Sequence, residues 1–410
     1  MTGMAIRLLE KLDKIARHTP SSNVEAIADI HSLLVLRYER ALGSAVNATP
    51  LFEAIHSTMN RSQIVVLGNS MALEVLGHNP YVTELLITDD INTSFFGTAV
   101  EAIRAQWRKP AFDALLTTSD SRPRIEMLAL ILGNRLRIGH GSPNIFHFSF
   151  TRDCEKSVLE DHLHLPKLLN PHLSNPTPRV YFSDGEIIAS GKMLETIGYL
   201  NDRPLIAMVT QAGGGQPTDW YEDRFVELAD RLIETTNAHI VFLGSSAQME
   251  PIDRIRRAMT HSSSSLAGQT SISEVSALLA QADLLVTLDT GTMHIGRGAE
   301  IPMTVIAPAW QPEHEWLPLG VDYIDIVRRN DIGCRNCRKF VCATHECMEE
   351  ISVDMVYQSA IAMLKRYQSE IALHNNLKKH PAYSAKSVKV TRLDRQVIIG
   401  RATPHIAASK

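Results

Sequence analysis

The stretch LLVTLDTGTMHIGRGAE, residues 284–300, decides the fold of this chain. An apolar strand is expected to end at Leu288, and a helix is expected to start near Thr292 after a short turn. Backbone N–H groups at a helix start carry partial positive charge and lack partners within the helix. Gly291 lets a phosphate approach the backbone, and the hydroxyls of Thr290 and Thr292 can add hydrogen bonds. The stretch therefore predicts a diphosphate site, the alternative being an Asp/Thr N-cap without a ligand.

Strand and helix signals alternate on both sides of this stretch. Strands are expected at residues 33–36, 63–67, 84–87, 114–117, 205–209, 239–243, 283–288 and 302–308. Helices are expected at residues 49–59, 70–76, 96–108, 222–234, 251–259 and 273–280. Continuous apolar runs suit parallel strands that are covered on both faces. The alternation predicts an α/β chain with two Rossmann-like domains facing each other across a cleft.

Composition shifts divide the chain further. A segment rich in Pro, Asn and Ser at residues 170–178 is predicted to be a connector. The expected units are an N-terminal helical extension (1–30), a first Rossmann-like domain (31–195), a second (196–373) and a basic tail (374–410). The tail is interpreted as a loosely attached segment or as a contact for anionic lipid headgroups or an anionic acceptor. Residues 396–399 within it could form an extra strand.

The bulk composition excludes several classes of function. The 410 residues carry a net charge of -4, and this overall charge does not indicate a nucleic-acid partner. No run approaches the roughly 18 apolar residues of a transmembrane helix, and the first residues lack the apolar core of a signal peptide. A cytoplasmic location with reduced thiols is expected. Peripheral contact with the inner membrane and a homo-oligomeric state are left open.

A glycine-rich loop, AGGGQPTDW at residues 212–220, follows one predicted strand and precedes a predicted helix. A loop of this kind can cradle a phosphate with its backbone N–H groups. It lacks the lysine of a P-loop, so it is not a Walker motif. A turn without a ligand is an equally good interpretation.

Four of the five cysteines fall within fourteen residues, in the spacing Cys334-x2-Cys337-x4-Cys342-x4-Cys347. In a reducing compartment this spacing suits a tetrahedral thiolate site that holds a structural zinc or iron. Disulfide pairing and unliganded thiols are the alternatives.

These motifs, in this order, resemble glycosyltransferase family 9, the ADP-heptose:lipopolysaccharide heptosyltransferases. The most specific part lies within residues 266–296, and the segments LGSAVNATP (42–50) and NPYV (79–82) resemble two further family motifs. The resemblance covers about residues 30–370. The matching positions in the most specific part are Leu266, Gly268, Thr270, Glu274, Leu278, Ala282, Asp283, Asp289, Thr290, Gly291 and His294.

The resemblance implies a GT-B fold and an inverting, metal-independent transfer of heptose or a related sugar. The donor would be an ADP-heptose-like nucleotide sugar on the second domain, and the acceptor would be a saccharide, a lipid or a protein. Related autotransporter heptosyltransferases hold iron with a comparable cysteine cluster. The implied donor contacts are Gly213, Gly214, Thr218, Gln248, Asp289, Thr290, Gly291, Thr292 and His294.

Three positions depart from the family pattern. Ser44 stands where the family has its expected Asp general base, Thr218 where it has a phosphate-neutralising Lys, and Gln248 where it has a ribose-binding Glu. Serine cannot act as a general base without an activator, and threonine supplies no positive charge. Glu39 is the candidate substitute base, with a donor phosphate oxygen as an alternative proton acceptor. Arg297 or His294 could supply positive charge.

Three functions are therefore compared. The first is an active glycosyltransferase with an altered site. The second is a catalytically impaired relative that binds a nucleotide or a partner as a scaffold. The third is a GT-B relative with other chemistry, epimerase-like or phosphate-cleaving.

Overall fold

The computed structural model describes residues 27, 29–59, 63–88, 95–107, 112–118, 123–133, 136–213, 218–367 and 377–393. Residues 1–26 of the predicted N-terminal extension, Gly214 and the predicted extra strand at 396–399 lie outside the described residues. Within the described part, two parallel β-sheets are each covered by helices. None of the helices in those ranges is both long and apolar enough to cross a membrane.

The first sheet has seven strands in the order β13-β3-β2-β1-β4-β5-β6. Its strands are β1 (Ser32–Arg37), β2 (Gln63–Gly68), β3 (Glu84–Ile87), β4 (Ala114–Thr117), β5 (Leu136–His140), β6 (Phe148–Phe150) and β13 (Lys389–Arg392). The helices of this part are α1 (Leu42–Asn47), α2 (Pro50–Thr58), α3 (Ser70–Leu76), α4 (Phe95–Trp107), α5 (Pro123–Leu132), α6 (Val158–His162) and α7 (His164–Leu169). Helix α8 (Asp184–Thr196) follows them in the chain and packs on the second domain, where Gln281 Nε2 donates to Ser190 Oγ at 2.8 Å.

The second sheet has six strands in the order β12-β11-β10-β7-β8-β9. Its strands are β7 (Leu205–Val209), β8 (His239–Phe242), β9 (Ser264–Ser265), β10 (Leu284–Leu288), β11 (Met303–Ile306) and β12 (Ile324–Val327). Its helices are α9 (Glu222–Thr236), α10 (Met249–Ala258), α11 (Ile272–Leu279), α12 (Gly291–Gly298), α13 (Glu313–Trp316), α14 (Glu346–Glu349) and α15 (Val353–Tyr367).

Apolar periodicity explains both layers. Every residue of β7 and β10 is buried, as expected for central parallel strands with helices on both faces. Helix α9 buries Phe225, Leu228, Ala229 and Leu232, which recur at the spacing of one helical face. The strand order reverses beside β1 in one sheet and beside β7 in the other. Ligands of open α/β sheets bind at the carboxyl ends of the strands at such reversals, which directs attention to the space between the two sheets.

The described part of the C-terminal tail returns to the first sheet. Strand β13 pairs in parallel with β3, and Lys386 Nζ donates to the carbonyl oxygens of Pro80 (2.7 Å) and Val82 (2.9 Å). Phe182 and Tyr383 form a β-bridge, so the tail also contacts the segment between the connector and α8. Residues 386–393 are therefore held against the first domain and cover the edge of β3. The preceding residues contact the second domain, where His380 Nε2 donates to the Ala299 carbonyl oxygen at 2.9 Å. The described part of the tail is thus not loosely attached.

One helix that the sequence did not predict bears on the site. Residues 42–47, which lie between a predicted strand and a predicted helix, form helix α1. The other boundaries agree closely: β3, β4, β7 and α3 have the predicted limits. Helix α1 matters for function because it lies against α12 of the second sheet's domain, where a Cβ added to Gly43 would come within 3.3 Å of the His294 ring.

Candidate functional site

A cavity of about 730 Å³ lies between the two domains. One wall comes from residues 40–44 and Met71 of the first domain, and the other comes from loops at the carboxyl ends of β7, β8 and β10. The cavity brings together most of the residues that the sequence predicted for the site. Those that line it are Ser44, Gly213, Gln248, Asp289, Thr290, Gly291, Thr292 and His294.

Helix α12 begins at this cavity. Its N-cap residue, Thr290, has an extended backbone and makes no side-chain capping bond. The Thr290 Oγ1 atom is buried and has no hydrogen-bond partner among the described residues. The start of a helix therefore faces the cavity with its partial positive charge uncapped by the preceding side chain, which is the arrangement that binds anions.

Asp289 lies at the end of β10, directly before this helix start. Burial raises the pKa of its carboxyl group to about 6, although Arg328 and a hydrogen bond from Gln311 oppose the shift. Arg328 is itself fixed, because its Nη2 atom donates to the Gln311 carbonyl oxygen at 2.7 Å. At a pH above the Asp289 pKa the carboxylate is ionised at the cavity wall, although its buried surroundings favour the protonated form.

His294, one turn into α12, joins the two domains. The side-chain amide of Asn47, on α1, donates to His294 Nε2 at 3.1 Å, and both residues are buried. Because Nε2 accepts, the ring proton resides on Nδ1, which has no partner within the described residues. Burial, reinforced by Arg297, lowers the His294 pKa to about 3. The ring is neutral, so the suggestion that His294 supplies positive charge is wrong, and Nδ1–H remains a neutral donor.

Replacing Asn47 with alanine should destabilise the protein by about 1–3 kcal/mol, because it leaves a buried imidazole nitrogen without its donor. Urea denaturation at pH 7.5 measures the change. Asn144→Ala serves as the matched control, since Asn144 is exposed and far from the domain boundary in the chain. Equal stability of the two variants would contradict a structural role for the interdomain hydrogen bond.

The two predicted catalytic residues lie in different settings. Ser44 lines the cavity from α1. Glu39 is not among the lining residues, and its Oε1 atom pairs with Arg37 Nη1 at 2.9 Å. Arg37 is 2% exposed, so the Glu39 carboxylate balances a buried charge at the end of β1. The assignment of Glu39 as a base remains a prediction.

Of two further residues predicted to contact the donor, Thr218 is buried away from the cavity and Gln248 is hydrogen-bonded to the backbone. Thr218 is 1% exposed, does not line the cavity, and has no partner for Oγ1 among the described residues. Gln248 Oε1 accepts from the backbone N–H of Ser245 at 2.7 Å, and Nε2 donates to the Gln211 carbonyl oxygen at 3.2 Å. One amide hydrogen of Gln248 is left for a ligand.

Arg297 does not serve the cavity. Burial lowers its pKa, it is not among the lining residues, and its Nε atom has no partner in the part of the chain that the structure describes. Arg40, which no motif singled out for donor binding, lines the cavity instead. Gln311, Trp316 and the apolar residues Leu243 and Val275 also line it, and no local pattern in the sequence could have found them.

The cysteine segment follows β12 and packs on the second domain, where the backbone N–H groups of Asn336 and Arg338 donate to the carbonyls of Ala309 and Trp310. All four cysteines of the segment are free thiols. Burial, and to a lesser degree the three neighbouring thiols, raise the pKa of Cys347. No group of three or more His, Cys, Asp or Glu side chains among the described residues is arranged to hold a metal ion. The thiols are neighbours without forming a ligand set.

Comparison with known proteins identifies the second domain. Residues 176–346 match the family model of glycosyltransferase family 9 (heptosyltransferase). Lipooligosaccharide heptosyltransferase 2 of Haemophilus influenzae is 31% identical over 120 residues, which are 28% of this chain and 34% of that protein. Lipopolysaccharide core heptosyltransferase OpsX of the same organism is 21% identical over 281 residues, 66% of this chain and 77% of that protein. The chain thus spans about a third of the first relative's length and about three quarters of the second's.

Two solved structures share the architecture of about four fifths of the chain. The glycosyl transferase family 9 protein from Veillonella parvula has a TM-score of 0.73 at 18% identity, with 82% of this chain and 98% of that chain covered. The E. coli ADP-heptose lps heptosyltransferase II has a TM-score of 0.66 at 18% identity, with 82% and 99% covered. These likenesses confirm the predicted GT-B fold of two Rossmann-like domains across a cleft. Residues 176–346 thus match the glycosyltransferase family 9 (heptosyltransferase) model, and the two domains share the fold of solved structures of that family.

Proposed function

We propose that this protein is a glycosyltransferase that moves heptose or a related sugar from a nucleotide-sugar donor to an acceptor, with inversion at the anomeric carbon. The observation that carries the proposal is the uncapped start of α12 at the wall of the interdomain cavity. The volume of about 730 Å³ falls within the range of small-molecule sites.

The donor would lie mainly on the second domain. Its diphosphate would accept hydrogen bonds from the first N–H groups of α12 and from the Thr290 and Thr292 hydroxyls. The nucleobase of the donor would pack on the apolar wall that includes Leu243 and Val275. Relatives of the same fold support an ADP-linked sugar: E. coli heptosyltransferase WaaC was solved with ADP and with ADP-2-deoxy-2-fluoro heptose, and TibC with ADP-D-beta-D-heptose.

In the reaction, an acceptor hydroxyl oxygen bonds to the anomeric carbon while the bond from that carbon to the diphosphate oxygen breaks. The nucleoside diphosphate leaves with the electron pair, and the partial positive charge of the α12 start stabilises it. Ser44, on the opposite wall, would orient the attacking hydroxyl. Because Glu39 is paired with Arg37, we assign the hydroxyl proton to a phosphate oxygen of the departing donor.

The acceptor would enter from the side of the first domain. A saccharide, a lipid or a protein hydroxyl each satisfies the chemistry. A cytoplasmic location, with contact at the inner membrane if the acceptor is a lipid, remains a prediction.

A panel of ADP-, GDP- and UDP-sugars tests the function. Calorimetric titration with ADP, GDP and UDP should find one nucleotide that binds at micromolar affinity. Release of that nucleoside diphosphate from its sugar should then depend on an added acceptor. Absence of binding by all three nucleotides would overturn the proposal.

A specific observation favours the second candidate, a binding protein without turnover. Among the described lining residues, the first domain contributes Ser44 and no carboxylate. Tight nucleotide binding with no release from any donor, under conditions in which a known heptosyltransferase is active, would favour this candidate.

We also propose that the cysteine segment holds a structural zinc or iron after its side chains rearrange, in keeping with the iron-containing relative TibC. Elemental analysis of the purified protein should find about one metal ion per chain. Cys342→Ser should lose it, and Cys154→Ser should keep it, because Cys154 lies outside the cluster. Metal-free wild-type protein from aerobic and anaerobic preparations alike would contradict this assignment.

A further inference from the structure

The negative charge of a bound donor would not be balanced by the second domain's side of the cavity. A bound nucleoside diphosphate would bring at least two negative charges to the start of α12. Asp289 adds another carboxylate at the same wall, and the neutral ring of His294 offsets none of this. The partial charge of a helix start amounts to roughly half a unit, so a full positive charge is still needed.

The second domain does not supply that charge from its glycine-rich loop. Thr218 is buried outside the cavity, and residues 214–217 are Gly-Gly-Gln-Pro, which carry no cation. Arg328 donates to the Gln311 carbonyl oxygen and attracts the Asp289 carboxylate electrostatically, and it is not a lining residue. Arg297 is half-buried and likewise does not line the cavity.

The first domain does place a cation there. Among the lining residues that the structure describes, Arg40 is the one lysine or arginine, and it is exposed. It precedes α1 by two residues, and the first residue of α1 meets the first residue of α12. A Cβ built on Gly291 would lie 2.6 Å from Leu42 Cβ. Arg40 therefore stands beside the helix start that would bind the diphosphate.

The residue before Arg40 is held by both its backbone and its side chain. The Glu39 carbonyl oxygen accepts from Asn69 Nδ2 at 3.0 Å, and the Glu39 carboxylate pairs with buried Arg37. These contacts hold the loop in one position at the end of β1. The entropic cost of presenting Arg40 to a ligand is reduced accordingly.

We propose that Arg40, from the opposite domain, pairs with the donor's diphosphate and neutralises the leaving group in place of a lysine at position 218. This inference rests on the proposed function. The donor would then contact both domains. Its diphosphate charge would be fully neutralised only when α1 and α12 are in contact. Arginine suits the role because its guanidinium can donate two parallel hydrogen bonds to phosphate oxygens.

The test compares Arg40→Gln, Arg40→Lys and the matched control Arg257→Gln, an exposed arginine on α10 that does not line the cavity. The ligand is whichever of ADP, GDP and UDP the wild type binds most tightly, together with its monophosphate. Arg40→Gln should bind the diphosphate at least 10-fold more weakly and the monophosphate less than 3-fold more weakly. Its turnover should fall about 100-fold, and Arg40→Lys should recover part of both losses.

The outcomes separate the two proposals. If the wild type and Arg40→Gln bind the diphosphate equally and turn over equally, Arg40 has no such role while the proposed function stands. An equal loss for diphosphate and monophosphate would also overturn the inference, because the contact would not be to the terminal phosphate. If the wild type binds none of the three diphosphates, the proposed function fails and the inference fails with it. Circular dichroism confirms that each variant is folded.

Discussion

Gly291→Ala is expected to lower glycosyl transfer about 100-fold. The new Cβ would lie 2.6 Å from both Leu42 Cβ and Leu42 Cγ. Carbon atoms do not approach so closely, so the start of α12 must move away from α1 or the domains must part. A displacement of about 1 Å at a reacting site is enough for a loss of this size. Steady-state release of the nucleoside diphosphate measures it.

Gly191→Ala is the matched control. Gly191 lies in helix α8, and a Cβ there meets no atom within 4 Å. This substitution should leave turnover unchanged and raise stability by about 0.5–1 kcal/mol, because glycine is a poor helix residue. The double variant Leu42→Gly, Gly291→Ala removes the obstructing side chain and should recover part of the activity. Full activity in Gly291→Ala alone would mean that α1 and α12 are apart during catalysis.

Asp289→Asn is expected to abolish most turnover and yet to stabilise the free protein. The environment raises the pKa of the Asp289 carboxyl to about 6, from 3.8 for an unperturbed group. The folded state therefore binds a proton more tightly than the unfolded chain does. The contribution of Asp289 to stability is most favourable below about pH 4, is lost as the pH rises toward 6, and stays unfavourable above it. A shift of about two units corresponds to about 3 kcal/mol, which we reduce to about 1–2 kcal/mol because the residue is partly exposed.

The asparagine variant carries no charge to desolvate, so it should gain that 1–2 kcal/mol at pH 8 and little at pH 4. Urea denaturation at both pH values measures the difference. Asp322→Asn is the control, since Asp322 is exposed and lies on the loop before β12. A variant that is less stable than the wild type at pH 8 would show that the attraction of Arg328 outweighs burial.

The sequence predicted the layers well where apolar side chains form the strands. Strands β7 and β10 are continuous apolar runs with every residue buried, and their limits agree with the prediction to within one residue. Strand β5 was missed because its buried residues include Arg137 and His140. Arg137 Nε donates to the Ile145 carbonyl oxygen at 2.7 Å, a distant contact that no local pattern reveals.

The site was predictable only in part. The turn at residues 289–292 lies where strand, turn and helix signals placed it, because all three are local. The tautomer of His294 depends on Asn47, 247 positions away in the chain, and no motif joins the two. Thr218 was predicted to contact a ligand because it stands at a family position, yet it is buried, and its burial depends on how the second domain packs.

The return of the tail to the first sheet has a mechanical consequence. The backbone of Phe182, in the first crossing between the domains, donates to Ala382 O at 2.9 Å and accepts from Ser384 N at 2.9 Å in the second. The two segments that connect the domains are therefore hydrogen-bonded to each other at one place. We expect any opening of the cavity to occur as a rotation of one domain about this place. The reverse rotation would return α1 to the same position on α12.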